Sequence, residues 1–388
     1  MPRQIKIIFD SQIFCAQVYG GVSRYFCELA SRLPAINLNF WIKIVAPMYV
    51  NEYIRQVPTN LVRGFPAPKF FFRVFTFLSS YAKSGFGLLG IGLGAIYIFL
   101  VNPDIVHKTY FYPVNIFRRR TKKILTIYDM IHERFPSDFP PNDKTAKYKR
   151  QAAMDADHII CISESTRRDV IEILGVELNK TSVIYLGFNF FPPLLEIPGN
   201  LTQLCKTPYL LYVGQRSGYK NFERFIKAYS ASKSLSQTFN IICFGGGVFT
   251  THELVLMDSL GISQGAIMQI SGGDQLLGYF YQNASAFVYP SLYEGFGIPP
   301  LEAMSQGCPV VCSSSSSIPE VVGNAGEFFD PMDISAITRS IKNVVFDEKR
   351  STQLKLLSRK QLENFSWDKC AKETGEIYMR LLLNGEIR

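Results

Sequence analysis

Residues Pro290–Glu302 read PSLYEGFGIPPLE. Two carboxylates, Glu294 and Glu302, bracket a loop that contains Gly295, Phe296 and Gly297. Pro299 and Pro300 follow, and Leu301–Ser305 is a helix-forming run. Proline suits the first turn of a helix, where its missing N–H would have no intrahelical partner. Glu302 is therefore expected in the first turn, beside unpaired main-chain N–H groups. Glu294 is expected on the loop above it. Just upstream, Ala286–Tyr289 (AFVY) is an apolar run of strand length. The unit reads strand, loop, helix, with its polar groups at the carboxyl end of the strand, where open α/β sheets bind ligands.

A carboxylate accepts two hydroxyl hydrogen bonds at once. Main-chain N–H groups at Gly295, Phe296 and Gly297 can approach a ligand closely, because glycine has no Cβ. Helix-start amides favour a phosphate. A nucleotide-activated sugar uses all three features: a ribose diol, a diphosphate and sugar hydroxyls. The same spacing also fits an acidic helix start, with Glu302 complementing the dipole and Glu294 solvated.

Moving outward, Tyr209–Val213 (YLLYV) reads as a strand, and the loop after it carries Gly214, Arg216, Gly218 and Lys220. Two cations at a strand's carboxyl end could neutralise a diphosphate, above all without a metal; they could equally be solvated. Asn240–Phe244 runs into Gly245-Gly246-Gly247, and Ile267–Ser271 into Gly272-Gly273-Asp274. Asp274 is expected to cap a helix over Gln275–Tyr281. Pro309–Cys312 reads as a strand, and Ser313–Ser317 as a flexible loop closing the site.

The first half repeats the strand–helix alternation. Ile5–Phe9 (IKIIF) is a strand, and Gly20-Gly21 opens a helix over Val22–Leu33. A double glycine there is an anion site or only a tight turn. Ile124–Tyr128 is another strand, followed by Asp129, His132 and Glu133. A loop histidine between acids can be a base, a metal ligand, a sugar contact or a structural residue. Asp155-Ala156-Asp157 lies where a helix passes into the strand His158–Ser163, and reads as a helix-end acid pair rather than a metal site. Phe65–Val101 is aromatic and then glycine-rich, with Lys69 and Arg73 interleaved. Its uncharged run Gly85–Val101 is 17 residues long, at the lower limit of a membrane span. It reads as a buried or interfacial helix. Phe190–Leu204 is proline-rich and reads as a linker.

At 388 residues two domains are expected. The eight cysteines are scattered without a CxxC pair, as in a reduced, cytoplasmic protein, and no signal peptide is read at the start. A net charge of +9 suits phosphates or an anionic membrane surface. The basic residues are dispersed and no nucleic-acid recognition module is visible.

The pair of glutamates separated by seven residues, E-GFGIPPL-E, resembles the signature of the retaining, GT-B-fold glycosyltransferases of family 4. It is most similar to their mannosyltransferase-like branch in bacterial surface-polysaccharide synthesis, and the resemblance extends over nearly the whole chain. It implies two doubly wound, Rossmann-like parallel-sheet domains facing a cleft. Residues 1–190 would bind the acceptor and 191–366 the nucleotide sugar, with 367–388 crossing back as a helix. It further implies that Glu294 contacts the donor sugar and Glu302 the ribose, with Gly295, Phe296, Gly297 and Leu301 between them. Arg216 and Lys220 would hold the donor phosphates, Gly20 and Gly21 would lie near them, and Asp129 and His132 would touch the sugar. Many relatives carry His before the Asp, where this chain has Tyr128. The implied reaction moves a hexose, mannose from GDP-mannose, to a saccharide or lipid-linked saccharide without a metal cofactor. An epimerase, a phosphorylase and a non-catalytic nucleotide-sugar-binding protein share the architecture and stay open at this point.

Overall fold

The apolar runs become parallel strands in two separate sheets. The computed structural model describes residues 3–67, 80–113, 117–118, 120–194 and 206–386. The first sheet holds β1 (Ile5–Phe9), β2 (Phe40–Tyr49), β3 (Val62–Pro66), β4 (Ile105–Lys108), β5 (Lys122–Ile127), β6 (His158–Cys161) and β7 (Thr181–Val183). Their order is β3-β2-β1-β4-β5-β6-β7. All neighbours are parallel. Ile7, Ile8, Val106 and Ile160 have no exposed surface, as expected where helices cover both faces of a parallel sheet. The order reverses between β1 and β4.

The second sheet holds β8 (Tyr209–Val213), β9 (Asn240–Phe244), β10 (Ile267–Ile270), β11 (Ala286–Tyr289), β12 (Val310–Ser313) and β13 (Gly326–Phe329). Their order is β10-β9-β8-β11-β12-β13, reversing between β8 and β11. Its core joins Tyr212, Phe222, Phe225, Ile226 and Val288. Both sheets are Rossmann-like.

The chain divides into two compact units. One comprises Met1–Arg134, Phe139–Gly187 and Ser366–Arg388; the other comprises Phe135–Asp138 and Phe188–Phe365. The helix Trp367–Glu386 belongs to the first unit. There the Tyr378 hydroxyl lies 2.6 Å from Nδ1 of His107, and Arg32 donates to Asp368 at 2.8 Å. Burial pushes His107 down to about 3, so it stays neutral between Tyr378 and Thr126. Phe135–Asp138 belongs to the second unit, although the residues on either side of it belong to the first. It is held there by a hydrogen bond from the Tyr219 N–H to Asp138 at 3.0 Å and by ring contacts of Phe135 with Tyr219 and Tyr293.

Three local expectations are corrected. The helix expected from Leu301 spans Ile298–Ser305, with Gly297 as its cap. Both prolines lie inside its first turn, where neither costs a hydrogen bond, so Glu302 falls in the second turn. Gly273, not Asp274, is the cap residue of the helix Asp274–Asn283, and no side chain caps it. The serine run is bonded into the fold, as described below.

The helix Ser80–Val101 crosses from β3 to β4. Ala95 and Ile98 are buried, and Ile98 packs with Ile8, Val45 and Val106. On the opposite side Leu89, Leu93, Ile96 and Leu100 are 45–70% exposed. No helix among the described residues is long and apolar enough to cross a membrane. Lys69 and Arg73, and most of the expected linker, lie outside the described residues.

Candidate active site

In the second unit the reversal of strand order places two loops side by side: the one after β8, carrying Arg216 and Lys220, and the one after β11, carrying Glu294. Asn221 ties them, its side-chain amide donating to the Pro290 carbonyl at 2.9 Å. The Leu292 N–H donates to the Tyr219 carbonyl at 2.8 Å.

Lys220 Nζ lies 2.7 Å from Glu294 Oε1. Glu294 is nearly buried. Burial, and then the nearby Glu294, push the Tyr289 hydroxyl well above its usual value, so it stays protonated. Gly297 adopts φ 109°, a conformation open to glycine. Phe296 packs against Phe365. Leu301 is fully buried. Glu302 is nearly buried and accepts from the Tyr281 hydroxyl at 3.3 Å.

Arg216 is placed differently from Lys220. Its Nε donates to Glu253 at 2.5 Å, and its terminal nitrogens donate to the carbonyls of Gly245, Gly247 and Val248 at 2.9–3.2 Å. The guanidinium also lies 4.7 Å from the Phe249 ring centroid. Gly245, Gly246 and Gly247 all have positive φ, and a Cβ on Gly246 would sit 2.5 Å from the Gly214 carbonyl oxygen. The glycine loop after β9 is thus wrapped around the arginine. Glu253 is held below its usual range: burial raises it, but hydrogen bonds from Arg216 and Thr250 outweigh that.

In the first unit, Asp129 and His132 follow β5. The residue that sequence reasoning missed is Lys149, 1% exposed, on the helix Thr145–Asp155. Its Nζ reaches Glu133 Oε2 at 2.8 Å, the Asp129 carbonyl at 2.9 Å and Asp129 Oδ1 at 3.6 Å. The signal was a lysine sharing a helix face with Ala152 and Ala153. The His132 ring stacks on Phe139 at 3.8 Å. Burial, and then Lys149, lower its basicity, so it is a neutral imidazole at neutral pH. Three buried polar atoms here have no hydrogen-bond partner: His132 Nδ1, Glu133 Oε1 and the Tyr128 hydroxyl. Such orphans call for an explanation, and ligand hydroxyls would supply one.

Gly20 precedes the helix Gly21–Ile36, and a Cβ on Gly21 would meet nothing within 4 Å, leaving its first turn open on that side. Asp155 and Asp157 are occupied structurally: Lys123 Nζ binds Asp155 at 2.5 Å, and the Lys123 N–H donates to Asp157 at 2.8 Å.

The family description "Glycosyltransferase Family 4" matches residues 19–190, and "Glycosyl transferases group 1" matches residues 199–361. The chain is 30% identical over 277 residues to O-antigen chain mannosyltransferase B of Escherichia coli, covering 68% of this chain and 71% of that protein. It is 27% identical over 223 residues to O-antigen chain mannosyltransferase RfbU of Salmonella typhimurium, covering 57% and 60% respectively. Among solved structures, Anabaena Alr3699/HepE in complex with UDP-glucose superposes with a TM-score of 0.70 at 16% identity, covering 97% of this chain and all of that one. The matches to both halves, the similarity to the Escherichia coli protein and the pair of Rossmann-like sheets agree: the chain belongs to glycosyltransferase family 4, on its mannosyltransferase-like branch.

Proposed function

We propose that this glycosyltransferase moves mannose from GDP-mannose to a saccharide or lipid-linked saccharide, with retention at the anomeric carbon, in the synthesis of a cell-surface polysaccharide (O-antigen, capsule or exopolysaccharide). The observation that carries the reading is the Lys220–Glu294 pair at the β8/β11 reversal, on a chain whose relatives are named mannosyltransferases. The second unit takes the nucleotide sugar and the first the acceptor, with Asp129 and His132 among its sugar contacts. In the reaction the bond from the anomeric carbon to the diphosphate oxygen breaks as the acceptor oxygen bonds on the same face. The acceptor proton passes to the leaving diphosphate. Fixed cationic and main-chain dipoles that stabilise the developing charge supply the main catalytic effect. In this reading Lys220 and the amides of Gly295–Gly297 supply them, and Arg216 frames the neighbouring loop. Glu294 positions the sugar, and no metal is needed in this scheme.

The test is a melting-temperature panel of nucleotide sugars, followed by analysis of the product. A bound donor at 100-fold its Kd stabilises by about 2.7 kcal/mol. GDP-mannose is expected to give the largest shift, and the glycoside formed is expected to keep the donor's α configuration. No shift with GDP-mannose rejects the donor assignment; a β product rejects retention; free mannose or an epimer without glycoside rejects transfer.

The reading places the protein on the cytoplasmic face of an anionic membrane. Three features support this. Leu89, Leu93, Ile96 and Leu100 form an exposed apolar row, and exposed Arg118 lies over the Phe99 ring at 5.1 Å. No Asp or Glu occurs between Glu52 and Asp104. Apolar burial and attraction to anionic lipid act together on such a surface. The protein is expected to float with phosphatidylglycerol vesicles and not with phosphatidylcholine. The double variant Leu93→Glu/Leu100→Glu is expected to lose at least tenfold in binding. Binding unchanged by these substitutions, or an apolar row buried in a stable dimer, rejects the assignment.

A further inference from the structure

Ser313–Ser317 follows β12 and meets the Glu294 loop. The Glu294 N–H donates to Ser316 Oγ at 2.8 Å, and the same hydroxyl donates to the Glu294 carbonyl at 3.1 Å. Ser317, fully buried, donates to the carbonyls of Glu294 and Phe296 at 2.8 and 2.9 Å. Every main-chain polar group of Glu294 is therefore gripped by a serine side chain.

Ser316 holds this grip in an unusual backbone conformation. Three non-glycine residues among those described have positive φ: Asn102, Asn221 and Ser316, the last at 52°. Asparagine is several-fold enriched in that region, whereas serine has no such allowance. Glycine would occupy the position without strain. A strained residue persists where the surrounding structure over-determines it. Here the hydroxyl is the one feature of Ser316 that glycine could not supply.

We propose that Ser316 is a positioning residue for Glu294: its hydroxyl, kept at the cost of a left-handed backbone, clamps both main-chain groups of Glu294 and so fixes where the carboxylate meets Lys220. The proposal rests on the reading of Glu294 given above. The carboxylate is one rotatable side chain away from the clamped main chain, and a loop free to shift by a fraction of an ångström would carry it off Lys220. Reaction rates fall steeply with such displacements. Ser317 secures the next turn of the same loop by holding Phe296.

Ser316→Gly removes the hydroxyl and relaxes the backbone together, so loss of the clamp and relief of strain act in opposite directions. Its melting temperature is expected to stay close to the parent's, because relief of the left-handed strain offsets the lost hydrogen bonds. Exchange of the Glu294 amide hydrogen should be about tenfold faster. With GDP-mannose as donor, kcat should fall about tenfold while KM changes less than threefold. Residues that act as a unit are not additive, so Ser316→Gly/Glu294→Gln should be no slower than Glu294→Gln alone. Unchanged amide exchange in Ser316→Gly overturns the clamp. Multiplying losses in the double variant overturn its action through Glu294. A Glu294→Gln protein that transfers at the parental rate overturns the functional reading and the proposal with it.

Discussion

Transfer by a Lys220→Met variant is expected to fall about 10²–10³-fold, the usual cost of removing one preorganised group that stabilises developing charge. Methionine matches the apolar stem of lysine and lacks the ammonium. The effect should fall mainly on kcat, because the charge on the diphosphate grows in the transition state. A confounding loss of stability is foreseeable. The side chains of Lys220 and Glu294 are 19% and 10% exposed, and leaving one charge of so enclosed a pair alone costs about 3 kcal/mol. Lys220→Met/Glu294→Gln removes both charges and should regain much of that stability without regaining activity. Steady-state kinetics and thermal melts on the single and double variants decide the matter. Transfer at the parental rate by Lys220→Met would remove the pair from the mechanism.

Arg216→Ala is expected to act on stability as strongly as on turnover. The side chains of Arg216 and Glu253 are 3% and 11% exposed, and three main-chain carbonyls also depend on the guanidinium. Breaking such a buried pair costs about 3–5 kcal/mol, or roughly 6–20 °C in Tm for a domain of this size. The pH dependence gives a second signature. In the parent, Glu253 has a depressed pKa, so its contribution is present above the unfolded carboxylate value, about 4.5, and is lost as pH falls through the folded value. In Arg216→Ala the main group lowering that pKa is gone and burial remains, which favours the protonated acid. The stability gap between parent and variant should therefore narrow as pH drops from 6 towards 4. A gap that stays constant over that range would mean that Glu253 is not Arg216's energetic partner.

Much of the strand framework is legible from composition alone. Tyr209–Val213, Asn240–Phe244 and Ala286–Tyr289 are apolar runs bounded by glycine or proline, and each is a strand over just those residues. The strand β2 is harder to read, because Lys43 and Pro47 interrupt it. Pro47 lies where the register with β3 shifts, between Val45 and Met48, a place where a strand tolerates a missing N–H. Glu294 and Lys220 could be nominated from local pattern, since each sits on a loop after a readable strand. Lys149, Asn221 and Ser316 could not. Their roles depend on residues distant in sequence: Lys149 on Glu133, Asn221 on Pro290 and Ser316 on Glu294. A serine run looks flexible in a sequence because serine has little apolar surface. It is ordered by hydrogen bonds that appear only once β11 and β12 are neighbours.

The first unit is discontinuous, and this dictates the order in which the newly made polypeptide can mature. The second unit's strands and helices are all present once Phe365 has left the ribosome, and a domain generally folds as it emerges. The earlier-made unit must wait. Until Trp367–Glu386 is synthesised, His107 lacks Tyr378 and the ring of Tyr25 lacks Trp367. The first half to be translated is thus the last to be finished, and its apolar seam beneath that helix is where a nascent or truncated chain would invite chaperones and proteases.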